Sequence, residues 1–129
     1  MALSRKEIQD RYRARWPELT KARDLFRAAK WRAKRFQLPF TITEEWVLAK
    51  LLSGKCEATG VELLIDRLPQ GRGHIDAFTP SLDQRRPGRG YTQENTRLVS
   101  WGYNALKARG TDFETKRFIV EAAKNIRCA

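Results

Sequence analysis

Four residues in the second half of the chain constrain its fold more than any other feature: Asp83, Asn95, Asn104 and Lys107. Asp83 closes a short extended stretch that begins near Phe78. Asn95 opens a second, Thr96-Arg97-Leu98-Val99-Ser100, whose alternation suits a half-buried strand. Between them lies Arg85-Arg86-Pro87-Gly88-Arg89-Gly90, a loop of turn formers and cations. Asn104 then falls one turn into a helix expected from Trp101 to about Arg109. A hairpin packed on that helix brings the Asp83 carboxylate and the Asn104 amide together. Such oxygen donors, completed by water and phosphate, suit Mg²⁺ or a similar hard cation such as Mn²⁺.

The flanking sequence is helical. Ser4-x-x-Glu7 has the form of a capping box, opening a helix to about Arg15. Trp16-Pro17 interrupts it, because proline suits a first helical turn better than an interior. From Pro17 to about Phe36 the apolar residues Leu19, Ala22, Leu25, Phe26, Ala29, Ala33 and Phe36 recur in steps of three and four, one face of an amphipathic helix. Its other face carries Lys21, Arg23, Arg27, Lys30, Arg32, Lys34 and Arg35. Thr41 and Thr43, followed by Glu44 and Glu45, cap a further helix through Leu52, which Gly54 stops. A short extended piece is expected around Val61 to Ile65. Thr111-x-x-Glu114 opens a C-terminal helix with Phe113, Phe118, Ile119, Ala122 and Ile126 on or near one face. The expectation is one α+β domain over 1–129: a basic helical part (1–54), a hairpin-and-helix core (55–109) and a C-terminal helix (110–129).

Charge narrows the partners. Lys and Arg number 26 against 15 acids, a formal charge of +11. That excess favours a polyanion, since neutralised phosphates release condensed counterions. The alternatives that charge leaves open are a merely solvated basic surface and an RNA-binding structural role. No apolar run approaches the roughly 20 residues needed to span a bilayer, and the charged start offers no signal peptide. A cytoplasmic setting is therefore expected. Cys56 and Cys128 stand far apart without a Cys-x-x-Cys pair, and His74 is the single histidine. Neither a structural zinc nor a disulfide is expected from such a set.

The segments Lys55-Cys56-Glu57-Ala58-Thr59-Gly60, Pro80-Ser81-Leu82-Asp83-Gln84, Gly90-Tyr91-Thr92-Gln93-Glu94-Asn95-Thr96-Arg97-Leu98-Val99 and Asn104-Ala105-Leu106-Lys107 resemble the ββα-metal motif of HNH endonucleases. The resemblance is to small, zinc-free, phage-type members. It covers Lys55 to Arg109 closely and the preceding two helices loosely. It implies a metal-dependent DNA endonuclease acting on double-stranded DNA, in a bacterial host's cytoplasm if phage-encoded. Asp83 and Asn104 would be metal ligands, and Asn95 the residue that orients the general base. Arg85, Arg86, Arg89, Arg97 and Lys107 would contact phosphates, with Arg27, Lys30 and Lys34 as a second backbone surface.

Two departures bear on that mechanism. Where many members hold zinc with four cysteines, this chain has Cys56, Thr59, Ser100 and Tyr103, so packing of Tyr103 and Trp101 is expected to replace the metal. Where the family places its histidine base, this chain has Gln84, whose amide accepts no proton from water at neutral pH. His74 is the candidate substitute, with Asp76 behind it. The alternative is a catalytically inactive HNH-fold protein that binds nucleic acid or regulates. Trp31 and Trp46 are candidates for base stacking or simple packing. Oligomeric state stays open.

Overall fold

The computed structural model describes residues 2–15, 17–65 and 75–127. Two helices come first, α1 (Arg5–Arg15) and α2 (Pro17–Phe36), then α3 (Glu44–Leu52). A two-stranded antiparallel hairpin, β1 (Pro80–Gln84) and β2 (Thr96–Ser100), leads directly into α4 (Trp101–Lys107), and α5 (Asp112–Asn125) follows. The class is α+β, as the sequence led one to expect. The capping signals act as their chemistry requires. Ser4 and Glu7 exchange side-chain to backbone hydrogen bonds, while Thr43 and Thr111 accept from Trp46 N and Glu114 N.

The core runs from Ala22, Ala29 and Ala33 of α2, through Val47 and Leu51 of α3, to Leu82, Leu98, Val99 and Tyr103. Alanines on the inner face of α2 let α3 approach closely. Fully burying Val47, Leu51, Leu98 and Val99 contributes about 1.5–3 kcal/mol each. In register, Asp83 pairs with Arg97 and Gln84 with Thr96.

Several expectations need correction. All five residues of β2 are buried, so the strand is covered on both faces rather than half-exposed. Beside it, Glu57 donates its N–H to Leu98 O and takes the Leu98 N–H on its carboxylate, serving as a one-residue third strand. The stretch Val61 to Ile65 forms no strand among the described residues; Glu62 makes only an isolated bridge to Lys55. α4 ends at Lys107, because Ala108 turns to a positive φ of 47°. Of the apolar residues expected on or near one face of the C-terminal helix, Ile119 packs against the core, while Phe113 and Phe118 on α5 and Ile126 just past it are exposed. Trp101 is 40% exposed, whereas Cys56 and Tyr103 are buried in the core.

A tight backbone junction adds to the core contacts between the helical part and the hairpin. Pro39 O accepts from Tyr91 N, and Tyr91 O accepts from Thr41 N and Ile42 N. Gly90 adopts φ 91°, and a Cβ there would stand 2.4 Å from Pro39 O. Only glycine allows this approach.

Candidate nucleic-acid interface

β1, α2 and α4 enclose an open cleft of about 860 Å³. Arg32 and Phe36 line it from α2, Ser81 to Gln84 from β1, Pro87 and Gly88 from the loop, and Trp101, Asn104 and Ala105 from α4. Arg109 adds a cation at the far end of α4. Asp83, Gln84 and Asn104 are thus brought to one cleft, as the hairpin-on-helix reading requires. Asn95 is not part of its lining.

Asp83 is 3% exposed, and both its oxygens are engaged by cations. Oδ2 accepts from Arg97 Nε at 2.9 Å, and Oδ1 accepts from Lys107 Nζ at 3.1 Å. Lys107 also donates to Gln84 O at 3.0 Å. Arg97 donates in addition to Asp112 on α5, to which the Tyr103 hydroxyl donates as well. Arg97 and Lys107, expected to contact phosphate, are therefore interior residues, 2% and 3% exposed. For Arg97 part of the reason lay outside the motif, because its second partner, Asp112, stands on α5.

The network shifts its members' protonation. Burial lowers the Arg97 pKa, but hydrogen bonds and charge from Asp112 and Asp83 outweigh it and hold the guanidinium above its usual value. The Arg97 hydrogen bond brings Asp112 down to about 2 against the opposing effect of burial, with Tyr103 and Lys116 assisting. Burial, then the bond to Asp112, pushes Tyr103 up to about 12.

Asn95 organises the loop. Its Oδ1 accepts from Arg86 N at 3.0 Å, and its Nδ2 donates to Arg86 O and, at 2.8 Å, to Gly90 O. Gly90 N in turn donates to Gln84 Oε1 at 2.9 Å. Asn95 thus acts on the side chain of position 84 through the Gly90 peptide. Arg85, Arg86 and Arg89 project from this loop exposed to solvent, as do Arg27, Lys30 and Lys34 on α2. His74 and Cys128 lie outside the described residues.

Asn104 donates from Nδ2 to Ser81 Oγ at 2.9 Å and to Leu82 O at 3.2 Å. Those two bonds fix the amide and leave Oδ1 as its uncommitted end among the described residues. By donor type, Asn104 and Asp83 suit a hard divalent cation whose shell is filled by water and phosphate. Asp83 offers only the lone pairs that Arg97 and Lys107 leave, so the pair makes a weak site. Among the described residues no three His, Cys, Asp or Glu side chains cluster.

The motif reading missed Arg32 and Tyr91 as a unit. Arg32 Nε donates to Tyr91 Oη at 2.9 Å, and both line the cleft. Arg32 stands in the sequence as one basic residue among seven on α2, and nothing in that pattern separates it.

No protein-family model matches the chain, and no curated protein matches it. Among solved structures the chain is similar to the rare-cutting HNH restriction endonuclease PacI, at 21% identity over 82% of each chain with a TM-score of 0.60. Likeness at that identity speaks to architecture: this chain has an HNH-like ββα fold with a C-terminal helix.

Proposed function

We propose that the chain is a DNA-directed, HNH-type endonuclease that hydrolyses phosphodiester bonds in double-stranded DNA. The observation that carries this is the cleft, which sets Asp83, Gln84 and Asn104 beside Arg32 and Arg109. Arg85, Arg86 and Arg89 hold backbone phosphates through their planar forks, and Arg27, Lys30 and Lys34 extend the contact along α2. Asn104 Oδ1 and Asp83 would hold Mg²⁺ or Mn²⁺. When bound, such an ion stabilises charge on the departing 3′ oxygen. Ser81 and Leu82 position Asn104, while Arg97 and Lys107 position Asp83. Asn95 fixes the loop and, through Gly90, the side chain at 84. Gln84 takes no proton, so His74 is assigned as the base. The setting that goes with this activity is the cytoplasm, of a bacterial host if the gene is a phage's.

Plasmid nicking with Mg²⁺ or Mn²⁺ tests the proposal. The protein should convert supercoiled DNA to open circles; Asn104→Ala should slow this at least about tenfold, and His74→Ala at least about a hundredfold, the low end for a general base. An unchanged His74→Ala protein would remove that residue from the mechanism. No nicking with either metal would sink the enzyme reading.

A second reading has a specific observation behind it. Both Asp83 oxygens are occupied by cations and Gln84 Oε1 by Gly90 N–H, which is the wiring of a fold kept for binding. Salt-sensitive DNA binding without cleavage is its signature.

A further inference from the structure

The cleft has an aromatic side that phosphate binding does not use. Phe36, on the last turn of α2, is 61% exposed, and Trp101, at the start of α4, is 40% exposed; both line the cleft. Trp31, also 61% exposed, stands on α2 near Phe36. The Arg35 guanidinium lies 5.4 Å from the Trp31 ring centre and 5.7 Å from that of Phe36. Singly exposed hydrophobic residues are ordinary on a protein surface. Two aromatics from separate helices, lining one cleft among arginines, are a different matter.

Paired duplex DNA presents phosphates and sugars outward and keeps its base faces stacked. An unpaired base presents a π-face, and stacking on an aromatic side chain holds it regardless of sequence. The cleft's volume suits a nucleotide-sized group. Its polar complement fits too: Gln84 commits Oε1 to Gly90, which leaves its Nε2 to meet a base edge. Arg32, Arg35 and Arg109 supply positive charge for the adjoining phosphates.

We propose that the cleft receives an unpaired DNA base, stacked on Phe36 and Trp101, so that the preferred substrate is DNA carrying an unpaired nucleotide rather than a fully paired duplex. This rests on the DNA-directed reading above and names the substrate class for the same cleft. Gln84 then reads or steadies the base from the position where a histidine base usually stands.

The test is equilibrium binding of the full chain to three labelled probes. These are a fully paired DNA duplex, the same duplex with one unpaired central thymine, and the RNA counterpart of the bulged probe. Wild type should bind the bulged DNA about tenfold more tightly than the paired one, the scale of one base–aromatic stack. Phe36→Leu with Trp101→Leu keeps apolar bulk at two exposed positions but removes the stacking faces. That variant should bind both DNA probes within about twofold of each other, with its circular dichroism like wild type. Equal wild-type affinities for the two DNA probes would overturn the proposal, as would a bulge preference that survives the double substitution. Tighter binding of the RNA probe would overturn it in favour of an RNA ligand. Binding of none of the probes would bring down the DNA-directed reading itself.

Discussion

Arg97 and Arg86 belong to the same hairpin, yet they live in opposite worlds. Arg97 is sealed beneath the sheet between Asp83 and Asp112, while Arg86 projects from the loop into solvent. Lys107 sides with the first, and Arg85 and Arg89 with the second. Interior cations hold β1, β2, α4 and α5 in one arrangement; exterior cations are available to a polyanion. The difference lies in desolvation. A charge removed from water must be matched by fixed partners, and truncating one partner strands the other. An exposed charge is screened, and its truncation costs little.

The two sets should therefore fail in different ways. Arg97→Met removes the central cation and leaves Asp83 with Lys107 alone, and should lower unfolding free energy by about 3–5 kcal/mol, read from urea denaturation. A decrease below about 1 kcal/mol would mean the interior network is as dispensable as a surface pair. Gly90→Ala breaks the joint to the helical part through the clash with Pro39 and the positive φ. It should cost about 2–4 kcal/mol in the same assay, the range of strong backbone effects. Joint replacement of Arg85, Arg86 and Arg89 by alanine should leave stability within about 0.5 kcal/mol. It should flatten the dependence of log DNA affinity on log salt by about 0.9 for each phosphate that is no longer neutralised. An unchanged salt slope would move the grip on the DNA backbone elsewhere.

The smallest effect is on pH dependence. Asp112 falls from 3.8 to about 2 on folding, so its stabilisation is present above pH 3.8 and is lost as pH drops towards 2. Tyr103 rises from 10.0 to about 12, and the neutral phenol's contribution disappears as pH climbs through that interval. Asp112 is 39% exposed, so solvent screening holds its share to about 1 kcal/mol or less. Asp112→Asn should flatten the acid limb of a Tm-against-pH curve; an unaltered limb would assign acid sensitivity to other carboxylates.

Much of the backbone was legible because it rests on local chemistry. Pro17, Thr43 and Thr111 mark helix starts by what their own rings or side chains do, and the glycine-containing loop between Gln84 and Tyr91 marks the hairpin. The meeting of Asp83 and Asn104 at one cleft was legible because a hairpin packed on the helix that follows it carries both there. What could not be read were pairings made across the fold. Asp112 reaches Arg97 from a helix outside the motif, and Glu57 covers β2 from 41 positions away in sequence. The apolar spacing on α5 left burial undecided for a related reason. Helical spacing gathers apolar residues on one side without saying whether the fold covers that side.

The bond from Gly90 N–H to Gln84 Oε1 has a consequence for any attempt to place a histidine at position 84. An imidazole there would meet the same donor and would have to answer it with a bare ring nitrogen. In the neutral ring the proton then resides on the other nitrogen, the one facing the cleft. That tautomer can give a proton to an oxygen but has no lone pair there with which to take one from water. The loop would need to turn the backbone at Gly90 before a single substitution could supply a base, so installing one at this position takes a change of backbone as well as of side chain.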